Sequence, residues 1–419
     1  MRFNSGMTST SSPREPERGI HPGRQAILIC AAVLAALAVA MGIGRFAFTP
    51  LFPLMVRDGL LGGGAGAVLA ASNYLGYLVG ALAATRLRVA SARLLAFGLG
   101  ATVLTTAAMG WTATVPAWTM LRFLAGVASA WTLVATSAWG LAWLAALGRA
   151  RLAGLAFSGV GVGIASAGLF CLVAGGTLSS SAMWTGLAGL ALLGAVLPLA
   201  ASRRWPVPSA AAAATPAPVA TQAASPGRTG GLVVCYTLYG FGYILPATYL
   251  PALARQLVDD PQVFGLAWPL FGAAGAVSTA LMSGPLGRAN RLLVGAVCHA
   301  VMAAGVLLPA LWTSLSSVVV AALLVGGTFM VITLVAMQEG RARAEARATQ
   351  VLGQMTAGFA LGQLVGPLVN AGIGRLVANE AGALHIALAL SAAGLLSSAI
   401  YLWREYRREP RHDTYKEKP

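Results

Sequence analysis

The chain has 419 residues, of which 57% are hydrophobic and only 10% charged, with a mean hydropathy of +0.75. A water-soluble domain carries about 25% charge, so a soluble globular protein is excluded, and the 51 glycines suit membrane helices, where small residues let backbones approach. The net charge of +16 does not point to nucleic acid, because the basic residues fall in short clusters between apolar runs, as a membrane-orientation signal does.

A polar tail over residues 1–24, in which Glu15 and Glu17 partly offset Arg14, Arg18 and Arg24, leads into the first apolar run with no short cleavable signal. About 20 residues cross the hydrocarbon core, and twelve runs satisfy that length. They are 25–55, 64–85, 92–111, 117–140, 152–174, 183–201, 231–252, 263–283, 291–310, 315–337, 349–371 and 383–403. The first is long for one span, and Pro50 and Pro53 predict a bent outer end. Between the sixth and seventh runs lies SRRWPVPSAAAAATPAPVATQAASPGRTG. It has no period and too little large apolar surface to pack, so residues 202–230 read as a cytoplasmic linker. Residues 404–419 form a second polar tail.

With the N-terminus inside, the inner segments hold 23 of the 28 Lys and Arg residues, and the outer loops hold Arg57, Arg255 and Arg375. That imbalance predicts a multi-pass protein of the plasma (inner) membrane with both termini cytoplasmic. The two remaining arginines, Arg45 and Arg122, fall inside spans one and four.

The halves 25–201 and 231–403 resemble one another. GIGRFAFTPLFP begins at Gly42 and GFGYILPATYLP at Gly240, each with Gly-x-Gly (Gly42 and Gly44; Gly240 and Gly242) and a proline eleven positions after the first glycine, Pro53 or Pro251. The shift is 198. In span five Gly154, Gly159 and Gly163 match Gly353, Gly358 and Gly362 in span eleven at a shift of 199. Two nearly equal shifts predict an all-α polytopic protein of twelve helices in two pseudo-symmetric six-helix bundles, with a site between the halves near the midplane.

This arrangement resembles the major facilitator superfamily. GIGRFAFTPLFPLM in span one, and MQEGRARAEARATQVLGQMTAGFALGQLVGPLV from Met337, are similar to the YbfB/YjiJ family within it. The resemblance covers roughly residues 25 to 403 and implies membrane transport, with spans one and four lining the central cavity and a monomer as the default state. One departure is in loop 2–3, where GALAATRLRVASAR keeps the bases of a common facilitator pattern and lacks its acid, so gating through that acid does not carry over.

A charge near the bilayer centre costs about 2.5–3.5 kcal/mol on insertion scales, and no acid lies in the predicted membrane interior beside either arginine. In the cavity that the resemblance implies, Arg45 and Arg122 form a candidate clamp for a carboxylate, phosphate or sulfonate. The competing reading has each guanidinium donating to carbonyls freed by nearby prolines and glycines, or Arg45 snorkelling outward. In span two, Asn73 and Tyr77 share a face while Tyr74 points elsewhere, and Gly76 with Gly80 form a small-xxx-small pair. Asn73 either lines the cavity or makes an interhelical bond. Tyr243 occupies the repeat position of Arg45 and is a candidate hydroxyl donor, whereas Tyr239 and Tyr249 read as packing or interfacial rings.

His299 and His385 read as packed or interfacial histidines in peripheral spans, and Gln354 and Gln363 as cavity or packing residues with no choice between them. Glu339 and Arg343 form a candidate inner-gate ion pair, and Gly362, Gly366 and Pro367 a bending element in span eleven. GQLVGP there resembles an antiporter motif of span five, but the fifth span here lacks its proline.

These features lead to a secondary transporter moving a small anionic or polar metabolite by alternating access. Proton-coupled efflux of amphipathic compounds is the alternative, with a coupling proton left open although acids, its usual carriers, are missing from the spans. A membrane enzyme or sensor finds no paired carboxylates, no Ser or Cys beside a His and no appended domain. No GxxxxGK[ST] loop occurs. No catalytic residue, metal or cofactor is expected, and Cys30, Cys171, Cys235 and Cys298 read as buried free thiols.

Overall fold

Peptide groups in hydrocarbon find no water, so an apolar run must close its own hydrogen bonds, and a helix does this within one segment. The computed structural model describes residues 21–62, 65–86, 89–206, 229–257, 265–344, 348–377 and 380–409. Twelve helices run through them: α1 (Pro22–Arg57), α2 (Ala65–Arg86), α3 (Ser91–Trp111), α4 (Val115–Ala146), α5 (Ala150–Ala174) and α6 (Ser180–Arg204), then α7 (Thr229–Leu257), α8 (Ala267–Leu281), α9 (Arg291–Leu311), α10 (Leu315–Ala344), α11 (Ala348–Leu376) and α12 (Glu380–Arg408). Eleven are long and apolar enough to cross a bilayer. The fifteen-residue α8 rises only about 22 Å, against a core of about 30 Å.

The sequence sets several ends directly. Ser179 Oγ accepts from the Ala182 N–H at the start of α6, and Asn290 Oδ1 accepts from the Leu292 and Leu293 N–H groups at the start of α9. Gly59 and Gly148 turn the chain after α1 and α4 with positive φ of 72° and 67°. Helices α6 and α12 continue past the expected boundaries at 201 and 403, to Arg204 and Arg408. Most of the expected linker (207–228) and of both tails (1–20 and 410–419) lies outside the described residues. Pro50 and Pro53, where a bent outer end is expected, lie in a helical stretch. The chain stays α-helical from Phe48 through Pro53 to Arg57, and the irregular winding is a π-helix upstream, over Ala38–Phe46.

Packing repeats with the chain. Helix α2 packs on α4, α3 on α4 and α6, and α1 on α5; six helices later, α8 packs on α10, α9 on α10 and α12, and α7 on α11. The halves meet along α2/α11 and α5/α8. Corresponding glycines make the corresponding crossings. A Cβ on Gly42 would overlap the backbone of Gly163, and one on Gly362 would overlap the backbone of α7 next to Gly240. Large apolar side chains such as Leu104, Val173, Leu193 and Leu311 stand on the outside, a surface suited to lipid. The α5/α8 seam is tight from Gly154, beside Thr279, to Gly168, beside Pro269, and the Leu155 N–H donates to Ser283 Oγ across it at 2.6 Å.

A polar clasp fastens one end of α1. Arg57 donates to the Gly175 and Leu178 carbonyls and pairs with Asp58, while Asp58 Oδ2 accepts from the Ser180 N–H at 2.6 Å. Burial alone pushes the Asp58 carboxyl up, but the Ser180 N–H and the Arg57 guanidinium outweigh it and hold the group below its usual range. A depressed carboxylate contributes stability above its unfolded pKa of about 4 and loses it as pH falls through the folded value. Acid titration of thermal stability is therefore expected to show a loss below about pH 4 that is smaller in Asp58→Asn; identical acid profiles would remove the clasp from the account. Gly76→Ala is expected to force α2 from α4, because its Cβ would overlap the Phe123 carbonyl, at about 1–3 kcal/mol. Gly189→Ala, which meets nothing within 4 Å, is the control in the same unfolding measurement.

Candidate functional site

The last residues of the π segment bring a charge to the seam between the halves. Arg45 is 2% exposed, and its Nη2 donates to Gln363 Oε1 on α11. Its guanidinium carbon lies 3.8 Å from the Tyr77 ring centre, with Phe46 at 5.5 Å and Tyr74 at 5.7 Å. A desolvated cation over an aromatic face gains about 2 kcal/mol, which offsets much of the insertion cost. Hydrogen bonding is left incomplete: Arg45 Nε and Nη1 have no partner, and no carboxylate of the described residues pairs with the group.

Arg122 on α4 is also buried, but it is used differently. Its Nη1 donates to the Gly44 carbonyl at 3.0 Å and its Nη2 to the Arg45 carbonyl at 2.8 Å. These oxygens sit where π winding returns to α. Ile43 O accepts from the Ala47 N–H at 3.4 Å, and Ala47 O accepts from the Leu51 N–H at 3.3 Å. In π register Arg45 O would accept from the N–H of residue 50, and residue 50 is a proline without one. Arg122 gives both oxygens a side-chain donor. The expected two-arginine clamp is not formed as such: the residues adjoin, but both terminal nitrogens of Arg122 are taken by peptide oxygens and only its Nε stays open, whereas Arg45 keeps Nε and Nη1. Phe48 covers the Arg122 guanidinium at 4.9 Å.

Asn73, fully buried, donates from Nδ2 to the Arg122 carbonyl at 2.9 Å, so it joins α2 to α4 and steadies the segment carrying Arg122. Tyr77 is the platform beneath Arg45. Tyr74, expected to point elsewhere, also turns its ring toward Arg45. Tyr243 is fully buried with an unpartnered hydroxyl and stacks on Phe329 at 5.5 Å. Tyr239 donates to the Phe329 carbonyl at 2.6 Å, and the side chain of Tyr249 lies outside the described residues.

The expected gating residues divide by position. Gly42, Gly44, Gly240, Gly242, Gly362 and Gly366 all sit at close helix contacts. Pro367 lies within an unbroken α11, and Pro251 lies in α7, its side chain outside the described residues. Glu339 pairs with Arg343 at 2.7 Å and Arg291 at 3.2 Å, and Arg343 reaches Glu405 at 3.4 Å. This network ties α9, α10 and α12 within one half and does not bridge the halves. His299 is buried with Nδ1 at 2.7 Å from the Gly295 carbonyl, whereas His385 and Gln354 are exposed. Among the described residues no group of His, Cys, Asp and Glu could hold a metal, and all four cysteines are free.

Gln363 and a set of rings complete the centre. Phe46 meets Trp268 of α8 at 6.4 Å across the halves; Trp268 stacks on Phe271 at 5.2 Å, and Phe271 meets Tyr243 at 6.4 Å. Buried donors without a partner around this junction include Arg45 Nε and Nη1, Arg122 Nε, Gln363 Nε2, Trp268 Nε1 and the Tyr243 hydroxyl. Every one can donate, and a buried unsatisfied donor costs about 1–3 kcal/mol. Such a site favours an acceptor carrying negative charge. The charge of Arg45 and the hydroxyl of Tyr243 were visible in sequence; Gln363 stood among other polar residues, and Trp268 sits in α8 with no motif around it.

Residues 37–402 match the family described as uncharacterised MFS-type transporter YbfB. The crystal structure of the human organic anion transporter MFSD10 (TETRAN) is similar in fold, with a TM-score of 0.65 over 93% of this chain and 100% of that one at 14% identity. No curated protein matches the sequence.

The role of Arg122 is testable by a double-mutant cycle. Arg122→Gln is expected to cost about 1–3 kcal/mol, and Pro50→Ala, which returns an N–H to α1, should recover part of that loss. Thermal unfolding of the four proteins in detergent reads the coupling. Strictly additive effects would show that Arg122 does not stand in for the missing donor.

Proposed function

The chain belongs to the YbfB-type family of MFS transporters, and on that premise we propose that it moves a small organic anion across the inner membrane by alternating access of its two six-helix halves. One observation carries the choice of cargo. Arg45 is a buried cation at the seam, with two unpartnered nitrogens and no carboxylate mate. Uncompensated charge in a low-dielectric interior is costly, and an anionic ligand removes that cost while filling the orphaned donors. The Arg45–Gln363 bond joins α1 of one half to α11 of the other, so a ligand that binds Arg45 competes with a contact holding the halves together. That links occupancy to the relative position of the halves, as alternating access requires. The clustering of basic residues on the inner segments supports cytoplasmic termini.

The human protein of similar fold is an organic anion transporter, which agrees with this reading, while the likeness itself shows only the fold. The test is thermal stabilisation of the purified chain by acetate, benzoate and phosphate, set against tetraphenylphosphonium and glucose. An anion response is expected that falls at least tenfold in apparent affinity in Arg45→Lys, which keeps the charge but loses the planar fork. A response confined to the lipophilic cation would overturn the proposal.

A further inference from the structure

We propose that the end of α12, away from the Arg45 junction, binds the headgroup of an anionic phospholipid, with Arg404 and Arg407 on its phosphate and Trp403 packed beside it. Helix length sets the depth. The 29 residues of α12 rise about 43 Å. That exceeds the hydrocarbon core of about 30 Å and matches a bilayer with its headgroup layers, about 40–45 Å. Residues 386–403 carry no charged side chain, and Arg404 is the first charge on the way out. The last turns of α12 therefore stand in a headgroup layer, the level that tryptophan favours.

The exposed face sets the direction. Leu396, Ile400, Trp403, Arg404 and Arg407 are all exposed, and their spacings of three, four and seven put them on one face of the helix. Leu396 and Ile400 belong to the apolar surface that meets lipid, so the two arginines continue that surface into the headgroups. Helical side chains lean toward the N-terminus of their helix, which for this end of α12 is back toward the membrane. Arg407 does so: its guanidinium carbon lies 5.4 Å from the centre of the Trp403 ring, one turn nearer the core. The indole holds the cation on the lipid side.

The acids at this end are engaged elsewhere. Glu405 pairs with Arg343 at 3.4 Å and with Arg408 at 3.3 Å, and Glu409 accepts from Asn290 Nδ2 at 2.7 Å. Arg404 and Arg407 pair with no carboxylate among the described residues. Side chains three residues apart on a helix start about 5–6 Å from one another, a gap that one phosphate bridges, and the guanidinium fork matches phosphate oxygens. A zwitterionic headgroup brings an ammonium that the arginines repel, and a headgroup of net negative charge does not. A lipid also lays its acyl chains along Leu396 and Ile400, which inorganic phosphate cannot do.

The experiment measures the binding of single lipids to the purified full-length chain by native mass spectrometry from a neutral detergent. The probes are dioleoylphosphatidylglycerol and dioleoylphosphatidylcholine. Phosphatidylglycerol is expected to bind at least tenfold more tightly, and Arg404→Gln with Arg407→Gln to remove about tenfold of that affinity or more. Arg203→Gln with Arg204→Gln, which removes two exposed arginines at the end of α6, is expected to remove no more than about threefold. Equal losses in the two double variants would reveal a diffuse attraction of basic helix ends for anionic lipid and overturn the site. Equal binding of the two lipids overturns the anionic headgroup. Displacement of phosphatidylglycerol by an equal concentration of inorganic phosphate would give the arginines to a soluble anion and overturn the lipid. Trp403→Ala should weaken phosphatidylglycerol binding, and full affinity in that variant overturns the part given to the indole.

Discussion

A guanidinium withdrawn from water must be answered from within the protein or by something the protein binds, and this fold contains both solutions side by side. Arg122 is answered by two main-chain oxygens of α1, those of Gly44 and Arg45, at the end of its π winding. Arg45, whose own carbonyl is one of those oxygens, has an aromatic face beneath it and one amide beside it. The first arginine, on α4, is bonded to the backbone of α1. The second is presented by α1 to the boundary between the halves, where its remaining donors face no protein acceptor.

The duplicated architecture makes the difference between the halves informative. Gly42 against Gly163 and Gly240 against Gly362 place the same close crossing at α1/α5 and α7/α11. The two frameworks superimpose in logic while their chemistry has separated. Where one half carries Arg45 the other carries Tyr243, surrounded by Phe271, Phe329 and Phe359. The first half carries the charge with Phe46 and Tyr77 beside it, and the second carries Tyr243 among rings of its own.

Much of the framework was legible in the amino-acid sequence because membrane helices announce themselves by apolar length, and repeats announce themselves by a constant shift. The position of Arg45 was legible for the same reason, as a charge where charge is expensive. Other parts were not. The partners of Arg122 are peptide carbonyls, which every residue possesses, so no side-chain pattern marks them. The π winding depends on how α1 meets α4 and α5, which no local period records. Gln363 and Trp268 acquire their meaning only when α11 and α8 are laid against α1, and the facing of Tyr74 toward Arg45 departs from the simple i, i+4 alternation used to place Asn73 and Tyr77.

The nine-residue π stretch of α1 also bears on motion. Each residue of an α-helix advances the chain by about 100° around the axis, so wide turns are a store of angular slack. Rewinding one such turn would rotate Arg45 together with the α-helical length from Phe48 to Arg57, so the Arg122 bonds and the Arg57–Asp58 clasp both oppose it.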